Sequence, residues 1–130
     1  MKNDIAFHIA VREVRARDPR FAPQAYDFLC ESLEHTVKTL RRENAEDRHV
    51  TGPQLLAGFR DKALQDFGPM AWLVMKEWGI TCSEDVGAMV YQFINIGYFG
   101  RNETDCIEDF SDGVSMKEYL TKPFPPAAKR

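Results

Sequence analysis

The chain has 130 residues, of which 44% are hydrophobic, and a formal net charge of -3 at pH 7. This length and composition predict a single domain that can bury enough apolar surface to fold without disulfides or metals. Three cysteines with no close pair argue against a secreted disulfide framework, and the net charge of -4 over residues 61 to 130 disfavours nonspecific attraction of that half to nucleic acid or anionic membranes.

Two helices are predicted before residue 43. Apolar residues recur at helical spacing over residues 4 to 16, and Asp18-Pro19 ends this pattern. A longer helix over residues 24 to 42 follows Pro23, which suits a first helical turn. Its apolar stripe consists of Tyr26, Leu29, Leu33, Val37 and Leu40.

The next two helices are delimited by capping residues, glycine and proline. Thr51 and Gln54 have the spacing of a capping box, which predicts a third helix to about residue 67. Its inward face would consist of Leu56, Phe59, Ala63 and Phe67. A fourth helix over residues 69 to 78 starts at a proline, stops before Gly79 and is apolar almost all the way round. A helix of this kind is covered on more than one side, so we expect it at the centre of the assembly.

Beyond residue 80 the pattern predicts one clear helix and one short one. Ser83 would cap a helix over residues 83 to 97, and Ser115 with Glu118 would cap a last helix over residues 116 to 120. Between them, residues 100 to 113 fit either a short β-hairpin or a loop with one helical turn at Ile107 and Phe110. Residues 1 to 120 are therefore predicted to form one helical domain, and residues 121 to 130 a mobile proline-rich tail.

The predicted fold is mainly α, a compact multi-helix domain, with a small C-terminal β-hairpin left open. Three helices and then a hairpin over residues 51 to 112 would resemble a winged helix, with residues 83 to 97 in the recognition position. The residue types contradict that role, because this segment starts with Glu84 and Asp85 and contains no basic residue.

No catalytic or metal-binding motif stands out. The histidines and cysteines have no zinc-ligand spacing, and there is neither a Gly-x-Ser-x-Gly elbow nor a glycine-rich phosphate loop. An acidic run does not match a calcium-binding loop and is interpreted as a solvated surface. We therefore predict no catalytic residue, metal or cofactor. The acidic run consists of Glu103, Asp105, Glu108, Asp109 and Asp112.

Two groups of residues are candidates for binding. Aromatic and methionine side chains of the kind that interface cores favour would form an interaction surface, and an arginine cluster would hold an anion or an acidic partner. The interaction set is Trp72, Met75, Trp78, Tyr98 and Phe99, and the anion-binding set is Arg12, Arg15, Arg17 and Arg20.

Short motifs are spread along most of the chain: Ala25-Tyr26-Asp27-Phe28, Arg48-His49-Val50-Thr51-Gly52-Pro53-Gln54-Leu55-Leu56, Phe67-Gly68-Pro69, Glu77-Trp78-Gly79-Ile80, Glu84-Asp85-Val86-Gly87 and residues 105 to 110. Together they resemble a family of small single-domain bacterial proteins of unknown function. The resemblance covers about residues 20 to 120 and implies no activity, substrate or site residue. The chain departs from it at Cys106 and Ile107, where the family looks polar.

The function that this sequence favours is a noncatalytic protein-interaction or structural module. Its partner would be a second copy of the chain or another protein, through the fourth helix or the Tyr98-Phe99 segment. The first alternative is a winged-helix-like nucleic-acid-binding protein, although nucleic acid is not the partner that we expect. The second is an enzyme that uses the acidic run with a divalent ion. The N-terminus lacks a signal peptide and a membrane span, so we expect a cytoplasmic protein with no membrane partner, its cysteines (Cys30, Cys82 and Cys106) reduced.

Overall fold

A computed structural model describes residues 4 to 43, 50 to 100 and 107 to 124. Within these ranges the chain is helical and contains no strand. The helices are α1 (Asp4–Arg17), α2 (Pro23–Glu43), α3 (Gly52–Phe67), α4 (Ala71–Trp78), α5 (Ser83–Asn95) and α6 (Met116–Thr121), with 3₁₀ turns at Gly68–Met70 and Ile107–Phe110. The mainly helical fold class predicted from the sequence is confirmed.

The C-terminal β-hairpin is the part of the predicted fold that the structure does not show. Residues 107 to 110 form a 3₁₀ turn instead, which is the other alternative that the sequence left open. Phe110 explains this conformation, since it is 3% exposed and its ring lies against Gly52 of α3 and Gly87 of α5. A Cβ on Gly87 would come within 2.8 Å of the Phe110 side chain, so the close approach requires glycine there. The described residues therefore provide no wing.

Capping chemistry sets the helix starts after residue 50. Thr51 Oγ1 accepts a hydrogen bond from the Gln54 amide at 3.2 Å, and the Gln54 side chain accepts one from the Thr51 amide at 2.9 Å, so the predicted capping box is confirmed. Ser115 Oγ accepts from the Glu118 amide, again as predicted. Ser83 is not a cap. Cys82 holds that position, and the Asp85 carboxylate accepts from its amide.

Helix α2 lies between two clusters of aromatic side chains. Tyr26 and Phe28 are two residues apart, about 200° around a helix, so they point to opposite faces. Phe28 packs against Phe59 and Phe67 of α3, at ring-centroid distances of 5.0 and 5.5 Å. Tyr26 packs on the other side against Phe93 of α5, at 5.2 Å. The second helix is thus the element around which the core is organised.

Polar contacts join α5 to the connection between α1 and α2. The buried Tyr26 hydroxyl donates to Gln92 Oε1 at 2.6 Å, and Gln92 Nε2 donates to Asp18 Oδ2 at 3.1 Å. Burial, followed by the nearby charge of Asp18, raises the pKa of Tyr26 to about 12. Gly79 meets the same connection, where a Cβ would collide with the Arg20 carbonyl oxygen. Its φ of 91° also favours glycine.

Helix α4 is covered on more than one side, as predicted, but not all the way round. It contacts α2, α3 and α6, and Ala71 and Met75 are completely buried. Leu73 lies on the opposite side and is 50% exposed. Helix α6 ends at Thr121, the first residue of the predicted C-terminal tail. Residues 125 to 130 of that predicted tail lie outside the described residues. No described helix is long and apolar enough to cross a membrane.

Candidate functional site

The predicted interaction residues of α4 occupy different environments. Met75 is 0% exposed and belongs to the core, so it does not lie at the surface of the folded chain. The reason is its register, one turn after the buried Ala71 on the inward side of the helix. Trp78 is half-buried against Phe28 and Phe67. Trp72 is half-buried as well, with Lys76 Nζ 5.6 Å from the centroid of its ring.

The predicted interaction residues that follow α5 form part of the other aromatic cluster. Tyr98 and Phe99 pack on Phe93 at 4.9 and 5.0 Å, and Tyr98 also lies 6.1 Å from Phe7 of α1. Both side chains remain partly exposed. Trp78 contacts Phe28 of α2 and Phe67 of α3. Tyr98 instead contacts Phe7 of α1 and Phe93 of α5. The five predicted residues therefore do not make one surface.

The four arginines of the predicted anion-binding set do not converge either. Arg15 Nε donates to the Phe21 carbonyl at 2.9 Å, and Arg20 pairs with Asp18 at 3.0 Å. Arg20 also lies 3.8 Å from Asp85, which caps α5. Arg12 and Arg17 are exposed on α1. Two of the four guanidinium groups are thus used to hold the α1–α2 connection.

Two exposed isoleucines form an apolar ridge on α1. Ile5 is 74% exposed and Ile9 is 46% exposed. They lie one turn apart, in line with Arg12 and Ala16, on the side opposite the buried Phe7 stripe. Ile5 and Ile9 lie outside the inward periodicity from which the first helix is predicted, so that periodicity does not reveal the ridge. The i, i+4 spacing of Ile5 and Ile9 is the pattern that could have found it.

A hollow of about 260 Å³ lies beside this ridge, between α1 and the residues that follow α5. Ile9 forms part of its wall, and Tyr98 brings one of the predicted interaction residues to the same place. We call the ridge and the hollow together the α1 face. Its hollow is lined by Ala6, Ile9, Ala10, Glu13, Ile96, Gly97 and Tyr98.

A second hollow, of about 170 Å³, lies between α2 and α3. Its hydroxyl groups already donate to α2 itself, since Thr36 donates to the Ser32 carbonyl at 2.8 Å and Thr39 to the His35 carbonyl at 3.0 Å. Gln54, also in its wall, uses its side-chain oxygen in the capping box. This hollow therefore offers few unused polar groups to a ligand.

A buried arginine joins α3 to the C-terminal segment. Arg60 is 6% exposed; its guanidinium donates to Asp112 Oδ2 at 2.8 Å and to Ser83 Oγ at 3.4 Å. It also lies over the Tyr119 ring, 5.0 Å from the centroid. Sequence reasoning did not find this contact, because the paired residues are 52 positions apart. Its role is to hold the C-terminal segment on the helices.

In the described part of the chain, the histidines, cysteines and acidic residues considered from the sequence do not come together in a metal-binding group. Among the described residues, no three histidine, cysteine, aspartate or glutamate side chains are grouped so as to hold a metal ion. Of the acidic run, Asp112 pairs with Arg60, and residues 103 and 105 lie outside the described ranges. Burial raises the pKa of the Cys82 thiol, and the Asp85 and Glu84 carboxylates act in the same direction. Such a shift disfavours the reactive thiolate.

Helix α5 lacks the features of a DNA-recognition helix. Its first turn carries Glu84 and Asp85, and the Asp85 carboxylate accepts hydrogen bonds from the amides of Thr81 and Cys82. A carboxylate at this end repels phosphate groups. The nucleic-acid alternative thus has neither a wing in the described residues nor a basic helix to support it.

No protein-family model matches the chain, and no curated protein or solved structure is similar enough to match it. The resemblance to small bacterial proteins therefore stays a prediction.

Proposed function

We propose that this protein is a noncatalytic protein-interaction module that binds its partner through the α1 face. The observation that carries the proposal is the exposure of Ile5 and Ile9 on one line of a well-formed helix. Removing an isoleucine side chain from water stabilises by about 1.5 to 3 kcal/mol. Ile5 and Ile9 lie next to each other, so a partner that covers both would gain the free energy of burying two apolar side chains.

The hollow beside the ridge supports the same function. Side chains that contribute most to association are those that fill well-packed pockets, and the hollow next to Ile9 is lined mainly by apolar residues. Tyr98, in its wall, is of the residue type that interfaces favour, with an apolar ring and a polar hydroxyl. A ridge next to a hollow provides shape that a partner can match.

Partner capture by matched variants tests this proposal. The tagged protein and the double variant Ile5→Gln/Ile9→Gln would be cross-linked in extract of the native cells, and the bound proteins quantified by mass spectrometry. The control is Leu73→Gln, which replaces an exposed leucine on α4. We expect specific partners with the unmodified chain and the control, and a loss of about tenfold or more with the double variant.

One result would contradict the proposal. If Ile5→Gln/Ile9→Gln and Leu73→Gln both unfold at the same temperature as the unmodified chain and capture the same proteins in the same amounts, the α1 face is not the binding surface. Sedimentation of the purified chain over a range of concentrations identifies a partner that is a second copy.

A further inference from the structure

We infer that residues 107 to 121 act as an internal ligand, which detaches as one unit from a groove on α3 and α5 and is replaced there by a partner segment of the same chemistry. We call these residues the latch. The groove takes an aromatic side chain that is followed, two residues later, by a carboxylate. This inference concerns a different surface from the α1 face and does not depend on the proposed function.

The groove is formed by two glycines and one cation. A Cβ on Gly52 would lie 3.2 Å from the Phe110 ring, and one on Gly87 would lie 2.8 Å from the Phe110 side chain, so glycine provides the room for the ring. Phe110 is 3% exposed, which means that the ring is almost completely enclosed. The Arg60 guanidinium donates to the Asp112 carboxylate at 2.8 Å. The groove thus recognises its occupant by a ring and a charge.

The latch is attached to the other helices through side chains. Met116 and Leu120 are buried like Phe110, and the Tyr119 hydroxyl donates to Asp61 Oδ1 at 2.8 Å. Its helix, α6, has six residues, and a helix of that length is not stable in water by itself. The latch therefore keeps its structure only while it is attached, so its anchoring side chains leave together.

The core contacts around α2 do not involve the latch. Phe28 packs against Phe59 of α3, and Tyr26 packs against Phe93 of α5. These contacts persist when residues 107 to 121 detach, so α1 to α5 remain folded. Such partial opening, with a free energy below that of global unfolding, is expected for a segment at the end of a chain.

The buried guanidinium makes the closed state depend on Asp112. Arg60 is 6% exposed, the Tyr119 ring lies over it, and its Nε has no hydrogen-bond acceptor among the described residues. Detachment removes Asp112 and Tyr119 from the guanidinium and admits water to it. Replacing Asp112 by asparagine therefore leaves a buried cation without its counter-charge in the closed state only, which shifts the equilibrium towards the open state.

Native-state hydrogen exchange of the full chain, followed by mass spectrometry, measures the detachment. We expect the amides of the latch to exchange at least about tenfold faster in Asp112→Asn than in the unmodified chain, while those of α2 keep their protection. The matched control is Asp66→Asn, which removes the carboxylate of the Lys62–Asp66 pair, 2.7 Å apart on α3. It should leave the exchange of the latch unchanged, because that pair lies outside the groove.

A fluorescent synthetic peptide of residues 107 to 121 tests the groove itself. Fluorescence anisotropy would measure its affinity for three full-length chains. Asp112→Asn should bind the peptide at least about tenfold more tightly than the unmodified chain, since its own latch competes less well. Gly87→Ala also weakens the latch, but its methyl group obstructs the groove, so this variant should not bind the peptide. The same peptide with Phe110→Ala should bind none of the chains.

Two results would overturn the inference. If the latch exchanges at the same rate as α2 in both the unmodified chain and Asp112→Asn, it leaves only when the whole chain unfolds. If the peptide binds Asp112→Asn and Gly87→Ala equally, or does not bind Asp112→Asn at millimolar concentration, the groove is not a ligand site. Neither result affects the α1 face, which partner capture tests separately.

Discussion

Individual side chains decide how the C-terminal segment is attached. The buried Arg60 guanidinium is matched by the Asp112 carboxylate, and its contact with Ser83 adds the start of α5. An arginine buried without its carboxylate would be costly, so these two residues depend on each other. The sequence placed Asp112 in a solvated acidic run, because no local pattern reveals a partner 52 residues away.

This ion pair predicts a pH-dependent contribution to stability. The hydrogen bond from Arg60 lowers the pKa of Asp112 below its ordinary value of 3.8. The folded state therefore favours the ionised form, and this stabilisation is present above pH 3.8 and is lost as the pH falls through the lower folded-state pKa. The difference in unfolding free energy between the unmodified chain and Asp112→Asn should be constant from about pH 5 to 7 and shrink below about pH 4.

Urea unfolding at each pH measures this difference. If the difference in unfolding free energy is equal at pH 3 and pH 7, the ion pair does not lower the pKa of Asp112 in the folded chain.

The positions of individual helices along the chain are the feature of this protein that the sequence predicts best. Where a helix limit lies within the described residues, it agrees with the expected bound within about two residues, because prolines, glycines and capping side chains act locally. The exception in detail is the start of α5. Ser83 has the residue type of a cap, but its hydroxyl contacts Arg60 and the Val114 carbonyl while Asp85 caps the helix.

Helices α2 and α3 pack closely where small residues meet, and this predicts the effect of a minimal substitution. A Cβ on Gly58 would overlap Thr36 Oγ1, so Gly58→Ala should lower stability by about 1 to 3 kcal/mol, even though alanine is the better helix former. Thr36→Ala removes the obstructing oxygen. In that background Gly58→Ala should cost at least about 1 kcal/mol less.

Chemical unfolding of the two single variants and the double variant measures the coupling. If the losses of stability from Gly58→Ala and Thr36→Ala simply add in the double variant, the two positions are not in close contact.

At the scale of the whole molecule, one side of α4 is buried in the core and the other side is exposed to solvent. The apolar pattern on nearly all its sides predicted a covered helix, but α2, α3 and α6 leave the side with Leu73 open. Hydrophobicity shows that a side chain can be buried; only the arrangement of neighbours shows whether it is. For the same reason, hydrophobicity alone does not reveal that Met75 is buried and that Ile5 is exposed.

Two substitutions on α4 test this division. Met75→Ala should lower the unfolding free energy by about 2 to 5 kcal/mol, because it leaves a cavity among fully buried side chains. Leu73→Ala should change it by less than about 0.5 kcal/mol, because half of that side chain is already in water. Thermal or urea unfolding of both variants gives the comparison, and similar losses would show that both sides of α4 are covered.

The sequence by itself determined the helical class, the order of the helices and nearly all of their limits. These depend on interactions within a few residues, which periodicity and capping chemistry record. The tertiary structure alone decided that residues 107 to 110 form a turn against Gly52 and Gly87, that Arg60 is buried with Asp112, and that Ile5 and Ile9 remain outside the core. Each of these depends on which elements approach each other, and that is settled by the packing of the whole chain.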